Sequence, residues 1–205
     1  MKPTRLTMHA YYHTLKNILL ATGCFFTMIV LSQAQPKKTT ALVKDPQDTF
    51  PVPVVNNQLF YLQRTANTNT VVYEANLNSK GQIDEDNPVR VYWIRYPEGG
   101  MKKDLSYIQR VFAYGIKTQR QSTDVFNTHV VSYKKAQLTV KKSTKDNKYH
   151  AYATINHKEA MLTRIFLKIE GGAFWSPNVI YIELKGRDEA TGEEVMERFK
   201  PSQTP

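Results

Sequence analysis

For most of its length this chain alternates apolar and polar residues one by one, and that restricts it to strands. Ile180, Ile182 and Leu184 stand opposite Tyr181, Glu183 and Lys185. Ala136, Leu138 and Val140 alternate with Gln137, Thr139 and Lys141, and Val89 to Tyr96 reads Val-Arg-Val-Tyr-Trp-Ile-Arg-Tyr. From Ala160 onward, Met161, Ile165, Leu167 and Ile169 read as one face, opposite Arg164 and Lys168. Successive side chains of a strand point to opposite faces, so a period of two marks a ribbon with one buried side. Asn67-Thr68-Asn69, Ser79-Lys80-Gly81, Asp146-Asn147, Gly171-Gly172 and Thr191-Gly192 supply the turns between them. The expected fold is mainly β, with about nine strands. Short connections make those strands antiparallel, closed as a β-barrel or packed as a β-sandwich. One short helix is expected from Asp104, where Leu105, Ile108, Val111 and Phe112 recur at three- and four-residue spacing. Gly115 suits a left-handed helix end.

The alternation begins at Leu59, and what precedes it is of another kind. Lys2, Arg5 and Lys16 are the charges of residues 1–34, Ile18 to Leu31 is uncharged, and Ser32-Gln33-Ala34 has small residues at its first and third places. This is the pattern of a signal peptide cut after Ala34. Its apolar run falls short of the roughly 20 residues that span a bilayer. The expectation is an exported protein, periplasmic or extracellular. Two lesser options keep it on a membrane: an uncleaved leader, or lipidation at Cys24, although the apolar stretch Phe25 to Leu31 continues past that cysteine. Residues 35–57 are rich in Pro, Lys, Thr and Asn and read as a linker or loosely ordered arm, and 58–201 as a single β-rich domain.

Cys24 is the only cysteine, so the mature domain forms no disulfide and offers no thiol nucleophile. The chain has 28 basic and 18 acidic residues; without the three basic residues of the leader the balance is 25 to 18, a net charge of +7. Such a surface favours anionic partners. The expected partner is an unknown small molecule or an anionic envelope component, with peripheral membrane association as a further option. Export and the lack of a binding signature argue against nucleic acid. Lys134, Lys135, Lys141, Lys142, Lys145 and Lys148 form a basic group that reads either as an anchor for anions or as edge-strand charge that blocks aggregation.

No motif specifies a reaction. His129, His150 and His157 have no carboxylate at metal-ligand spacing. Asn76 to Asn87 is faintly like a calcium loop, but Lys80 and Asn87 stand where oxygen donors are needed, and an acidic hairpin loop is the better account. No Gly-x-Ser-x-Gly elbow occurs. No catalytic residue, metal ligand or cofactor is therefore assigned. Two arginines do continue apolar rows: Arg64 follows Phe60 and Leu62, and Arg95 follows Val89, Val91 and Trp93. A charge on an inward face requires a partner. The candidate ligand-binding set is Arg64, Tyr73, Trp93, Arg95 and Tyr107, with arginine gripping an anionic group and the rings stacking. The alternative is a structural ion pair, with Glu74 as counter-charge.

Phe60-Tyr61-Leu62-Gln63-Arg64, Asn67-Thr68-Asn69-Thr70-Val71-Val72-Tyr73 and Val91-Tyr92-Trp93-Ile94-Arg95 also carry a resemblance. So do Leu105-Ser106-Tyr107-Ile108-Gln109-Arg110, Ala113-Tyr114-Gly115-Ile116 and Tyr181-Ile182-Glu183-Leu184-Lys185-Gly186, with Thr191-Gly192. The set is similar to domain-of-unknown-function family 4833, exported bacterial proteins without an assigned activity, over about Gln58 to Pro201. The resemblance implies one compact domain in a bacterial envelope and transfers no site residues. The functional expectation is an exported, noncatalytic binding module. The alternatives are a hydrolase acting on an envelope polymer, with Glu74 or Glu183 as acid or base, and a structural scaffold of an envelope complex.

Overall fold

A computed structural model describes residues 50–173 and 176–201; the leader, Cys24 and the first part of the arm lie outside the described residues. The alternating segments become β1 (Gln58–Arg64), β2 (Asn67–Ala75), β3 (Val89–Arg95), β4 (Met101–Asp104), β5 (Ile116–Ser122) and β6 (Val125–Val130). They continue as β7 (Leu138–Lys142), β8 (Tyr149–Ile155), β9 (Lys158–Ala173), β10 (Ser176–Arg187) and β11 (Glu194–Phe199). One helix, α1 (Tyr107–Phe112), links β4 to β5. Nine strands lie on one path, β4-β3-β2-β1-β9-β8-β7-β6-β5, with β10 paired to β9 and β11 to β10. The result is a curled, mixed half-barrel.

The long strand β9 is the trunk. Its Met161 pairs with Tyr152 of β8 and Arg187 of β10, and its Arg164 with Tyr61 of β1 and Lys185 of β10. Along one edge of β9, β8 therefore gives way to β1. The β1–β9 pairing is parallel, Tyr61 to Arg64 against Arg164 to Leu167. This corrects the expectation of a purely antiparallel sheet. Short connections dictate the sense of pairing only between strands that follow one another, and β1 and β9 are far apart in sequence. The path also ends at β4 and β5, with no pairing between these two among the described residues.

A second correction lies in β9. Lys185 pairs with Arg164 but Gly186 with Leu162, so Thr163 is an extra residue. Its hydroxyl donates to the Lys185 carbonyl at 3.0 Å. The bulge shifts the alternation by one place, so Ala160 and Leu162 enter the core together with Ile165, while Met161 does not. An uninterrupted period of two misassigns Met161.

The main core lines the concave face and draws on almost every strand, with Phe60, Val71, Tyr73, Phe126, Val140 and Leu162 among its buried residues. Around β1 to β3 the opposite face is covered too. Tyr61, Val72, Tyr92 and Ile94 cluster there under Val55 and Tyr96. Phe50 meets the Phe166 ring edge-on at 6.0 Å, and the buried Gln63 donates to the Pro51 carbonyl at 2.8 Å and to Thr70 Oγ1 at 3.0 Å. Residues 50–57, the end of the arm, thus pack on the sheet. A strand with both faces covered reads as a run, which is why Leu59 to Gln63 are all buried.

The helix differs from expectation at both ends. Its N-cap is Ser106, not Asp104, which ends β4. The Ser106 Oγ accepts from Gln109 N at 3.3 Å, and the Gln109 Oε1 accepts from Ser106 N at 3.0 Å, a reciprocal capping box. Gly115 is not left-handed. A Cβ there would stand 1.8 Å from the Arg110 carbonyl oxygen, so glycine serves close passage of the chain beneath the helix.

Candidate functional site

The inward rows of β1, β2 and β3 bring Tyr73 and Trp93 together, and their meeting point is Tyr114. The Tyr73 ring stacks on Phe60 at 4.2 Å, and its hydroxyl donates to the Tyr114 carbonyl at 2.8 Å. Burial, and then Tyr114, push the Tyr73 phenol well above its ordinary range. The Trp93 ring meets Tyr114 edge-on at 5.0 Å, and its Nε1 donates to Gln109 Oε1 at 3.3 Å. Burial also raises Tyr114, and the nearby Arg64 charge opposes that rise. Arg95 is half-buried and paired with Glu98 at 2.5 Å, not with Glu74. Burial, and after it the nearby Glu74 carboxylate, push the Tyr92 phenol up. Tyr107 is apart from all of these, on the solvent side of α1. At Tyr73, Trp93 and Tyr114 the concave face is filled with rings.

Glu183 lies on the opposite face from Leu184. It is fully buried and its Oε2 accepts from Arg198 Nε at 3.1 Å and from the terminal guanidinium nitrogen at 2.6 Å. Arg198 in turn lies over the Tyr181 ring at 4.2 Å. Such a two-donor contact offsets the cost of burying a carboxylate.

A cavity of about 350 Å³ opens at the other end of the concave face, within the range of small-molecule sites. Its apolar floor is Leu138 of β7, Ala153 of β8 and Leu184 of β10, all buried. Lys135 and Gln137 from the β6–β7 connection, Thr154 of β8 and Glu197 of β11 form the polar part of the lining, and Ala136 lies between the first two. The rings of Tyr133 and Phe199, 6.4 Å apart, complete it. Glu197 continues the inward row of Val195 and Phe199, so it is the one carboxylate in the lining. It accepts from Asn156 N at 2.8 Å. Asn156 and His157 both have positive φ, 51° and 64°, the two-residue turn that suits the right-handed twist of a hairpin. Glu197 thereby ties the β8–β9 turn to β11. No local pattern in the sequence marks this cavity. Glu197 offered the same signal as Arg64, a charge in an apolar row, but on a strand whose pairing was not legible.

The remaining polar candidates are engaged locally. Asp84 Oδ1 accepts from the backbone of Asp86 and Asn87 at 3.0 Å, and Asn78 Oδ1 from Lys80 and Gln82, so these oxygens brace the hairpin loop. His150 bonds to Asp146 at 2.8 Å. Among the described residues no three His, Cys, Asp or Glu side chains are grouped to hold a metal ion.

A family model described as a domain of unknown function (DUF4833) matches residues 60–198. The match starts within β1 and stops one residue short of the end of β11, so it takes in the ring cluster and the cavity lining except Phe199. No curated protein and no solved structure matches the chain.

Proposed function

The chain belongs to the domain of unknown function (DUF4833) family, whose description names no activity, and from that premise we propose a noncatalytic binding module for a small molecule with an apolar body. The observation that carries this reading is the cavity, with its apolar floor of Leu138, Ala153 and Leu184 and its polar lining of Lys135, Gln137, Thr154 and Glu197. An apolar body gains by leaving water for that floor, and a few polar groups around it orient the ligand. The ligand moves, in this reading, from the Arg64–Trp93–Arg95 rows to the opposite end of the concave face, because rings fill the first place and space is left at the second. The reading includes export, on the leader pattern of residues 1–34.

Native mass spectrometry of the purified chain tests it. A co-purified mass is expected on the wild type and on Arg95→Met, and absent from Ala136→Trp, which fills the cavity from a half-buried position. Persistence of the bound mass in Ala136→Trp removes the cavity as the site. A second reading, a scaffold, is supported by the filled ring cluster at Tyr73, Trp93 and Tyr114. It gains if no bound mass accompanies any of the three proteins.

A further inference from the structure

The helix α1 is inside out. Its polar Gln109 turns inward, accepting from Trp93 Nε1 at 3.3 Å, while no residue of the helix is buried. Tyr107, Ile108, Val111 and Phe112 fall one, three and four places apart along a single stripe. They are 77%, 56%, 40% and 68% exposed, and Met101 on the adjoining β4 is 58% exposed. Burial against the domain is the ordinary fate of such a stripe, and a clustered apolar surface left in water marks an interaction site.

This is not a frayed segment. The capping box holds the first turn, and the last is bolted by the Ser132 hydroxyl, which donates to the Ala113 carbonyl at 2.6 Å, and by Tyr73 on the Tyr114 carbonyl. Below it the chain passes so close that only glycine fits at position 115. The domain holds this orientation from both ends.

The charges around the stripe identify its partner. From Met101 to Ser122 there are Lys102, Lys103, Arg110, Lys117 and Arg120 against the single acid Asp104. Arg120 pairs with Glu85 at 2.5 Å and Lys102 lies over the Tyr92 ring at 4.9 Å. Among the described residues no ion pair engages Lys102, Lys103, Arg110 or Lys117. A second copy of the chain would set this positive surface against itself. A six-residue helix is about 9 Å long, far too small to supply the roughly 800 Å² per partner of a standard protein interface. A shallow apolar wedge with aromatic residues, ringed by unneutralised lysine and arginine, fits the headgroup region of an anionic bilayer.

We propose that α1 with β4 and the start of β5 is a membrane-docking surface, which sets Tyr107, Ile108, Val111 and Phe112 among the headgroups of an anionic phospholipid surface while Lys103, Arg110 and Lys117 face the lipid charge. It is independent of the cavity, which belongs to other strands.

Co-sedimentation of the full chain with vesicles tests this, using phosphatidylcholine mixed with phosphatidylglycerol against phosphatidylcholine alone. Ile108→Ser with Phe112→Ser is expected to lower partitioning onto the mixed vesicles on the order of tenfold, and Lys103→Glu with Arg110→Glu by a comparable factor. Both replace exposed side chains, and far-ultraviolet circular dichroism should match the wild type. Because another part of the chain, the apolar run of residues 18–31 included, is able to hold it on a vesicle, a second measurement reports on the helix itself. Phe112→Trp is expected to shift its added emission to the blue and to be quenched by brominated acyl chains in mixed vesicles only. No quenching at position 112, or equal quenching in phosphatidylcholine alone, overturns the proposal. So does a wild-type dimer, seen by light scattering, that Ile108→Ser with Phe112→Ser splits into monomers, since the stripe then belongs to a second copy.

Discussion

The β7–β8 hairpin and the β4–α1–β5 segment are both rich in lysine, yet their charges are disposed in opposite ways. In the hairpin, Lys141 pairs with Glu159 at 2.8 Å and lies over the Tyr152 ring at 4.2 Å, and Lys142 lies over Tyr149 at 5.7 Å. Lys145 donates to the Glu189 carbonyl, whose side chain accepts from Ser143 at 2.6 Å and from Tyr152 at 2.9 Å. In the segment Arg120 pairs with Glu85, but Lys102, Lys103, Arg110 and Lys117 stand near exposed apolar residues without carboxylate partners among the described residues. Charge committed to the fold has little left for a partner, whereas charge beside an exposed apolar stripe is available to one. Of the two basic stretches, the hairpin stands out more in the sequence, and it is the one the fold itself uses.

The comparison makes four testable demands, the largest first. Gly115→Ala drives a Cβ into the Arg110 carbonyl oxygen, and is expected to cost about 3 kcal/mol in urea unfolding as the chain beneath α1 is displaced. A cost near zero would mean that the helix is not held as described. Next in size is the response to alkali. Burial and the bond from its hydroxyl to Asp124 push Tyr149 up to about 12, and burial with the Glu189 bond raises Tyr152 further. Below pH 10 these phenols are neutral in both folded and unfolded states. Above it the unfolded chain releases protons that the folded chain retains, so stability falls from pH 10 through about 12. Thermal melts should follow that course, and Tyr149→Phe should shallow it.

Glu189→Gln is expected to cost about 1 kcal/mol, since its partners persist but lose a charged acceptor. The Ser143 hydrogen bond, outweighing desolvation, and then the Tyr152 bond hold this carboxyl below its ordinary 4.5. Its contribution is complete above that value and is lost as pH falls through the lowered one, so the variant should flatten the acid limb of the melting curve. Smallest is the effect of Ile108→Ser with Phe112→Ser on stability, within about 0.5 kcal/mol, because both side chains face water. A larger loss in chemical denaturation would show that the stripe supports the fold after all.

The strands were legible where one face alone is apolar. Leu138 and Val140, or Ile182 and Leu184, alternate in the sequence as they do in the sheet, with every intervening residue less buried or on the other side. Legibility failed wherever a partner altered the local rule. Thr163 is an ordinary strand residue, and only its place opposite Lys185 and Gly186 makes it a bulge. Tyr73 and Trp93 lie in the core with their rows, yet the packing of Tyr114 decides what they meet, and Arg95 meets Glu98. The cavity residues come from the β6–β7 connection and four strands, and no local pattern joins Leu138 to Glu197.

By itself the sequence determined that the domain is mainly β with one short helix, that the family is that of the matched model, and that arginines enter apolar rows. These follow from neighbours within a few residues, where period, turn chemistry and composition act. Only the tertiary structure decided that β1 runs parallel to β9, that the cavity lies beneath Tyr133 and Phe199, and that α1 turns Gln109 inward and its apolar stripe outward. The helical spacing of Ile108, Val111 and Phe112 is the same whichever way the stripe points. Its direction is chosen by what the Trp93 indole, Ser132 and Gly115 permit at the helix ends, and those residues lie on other elements or beyond the helix, outside the pattern that announced it.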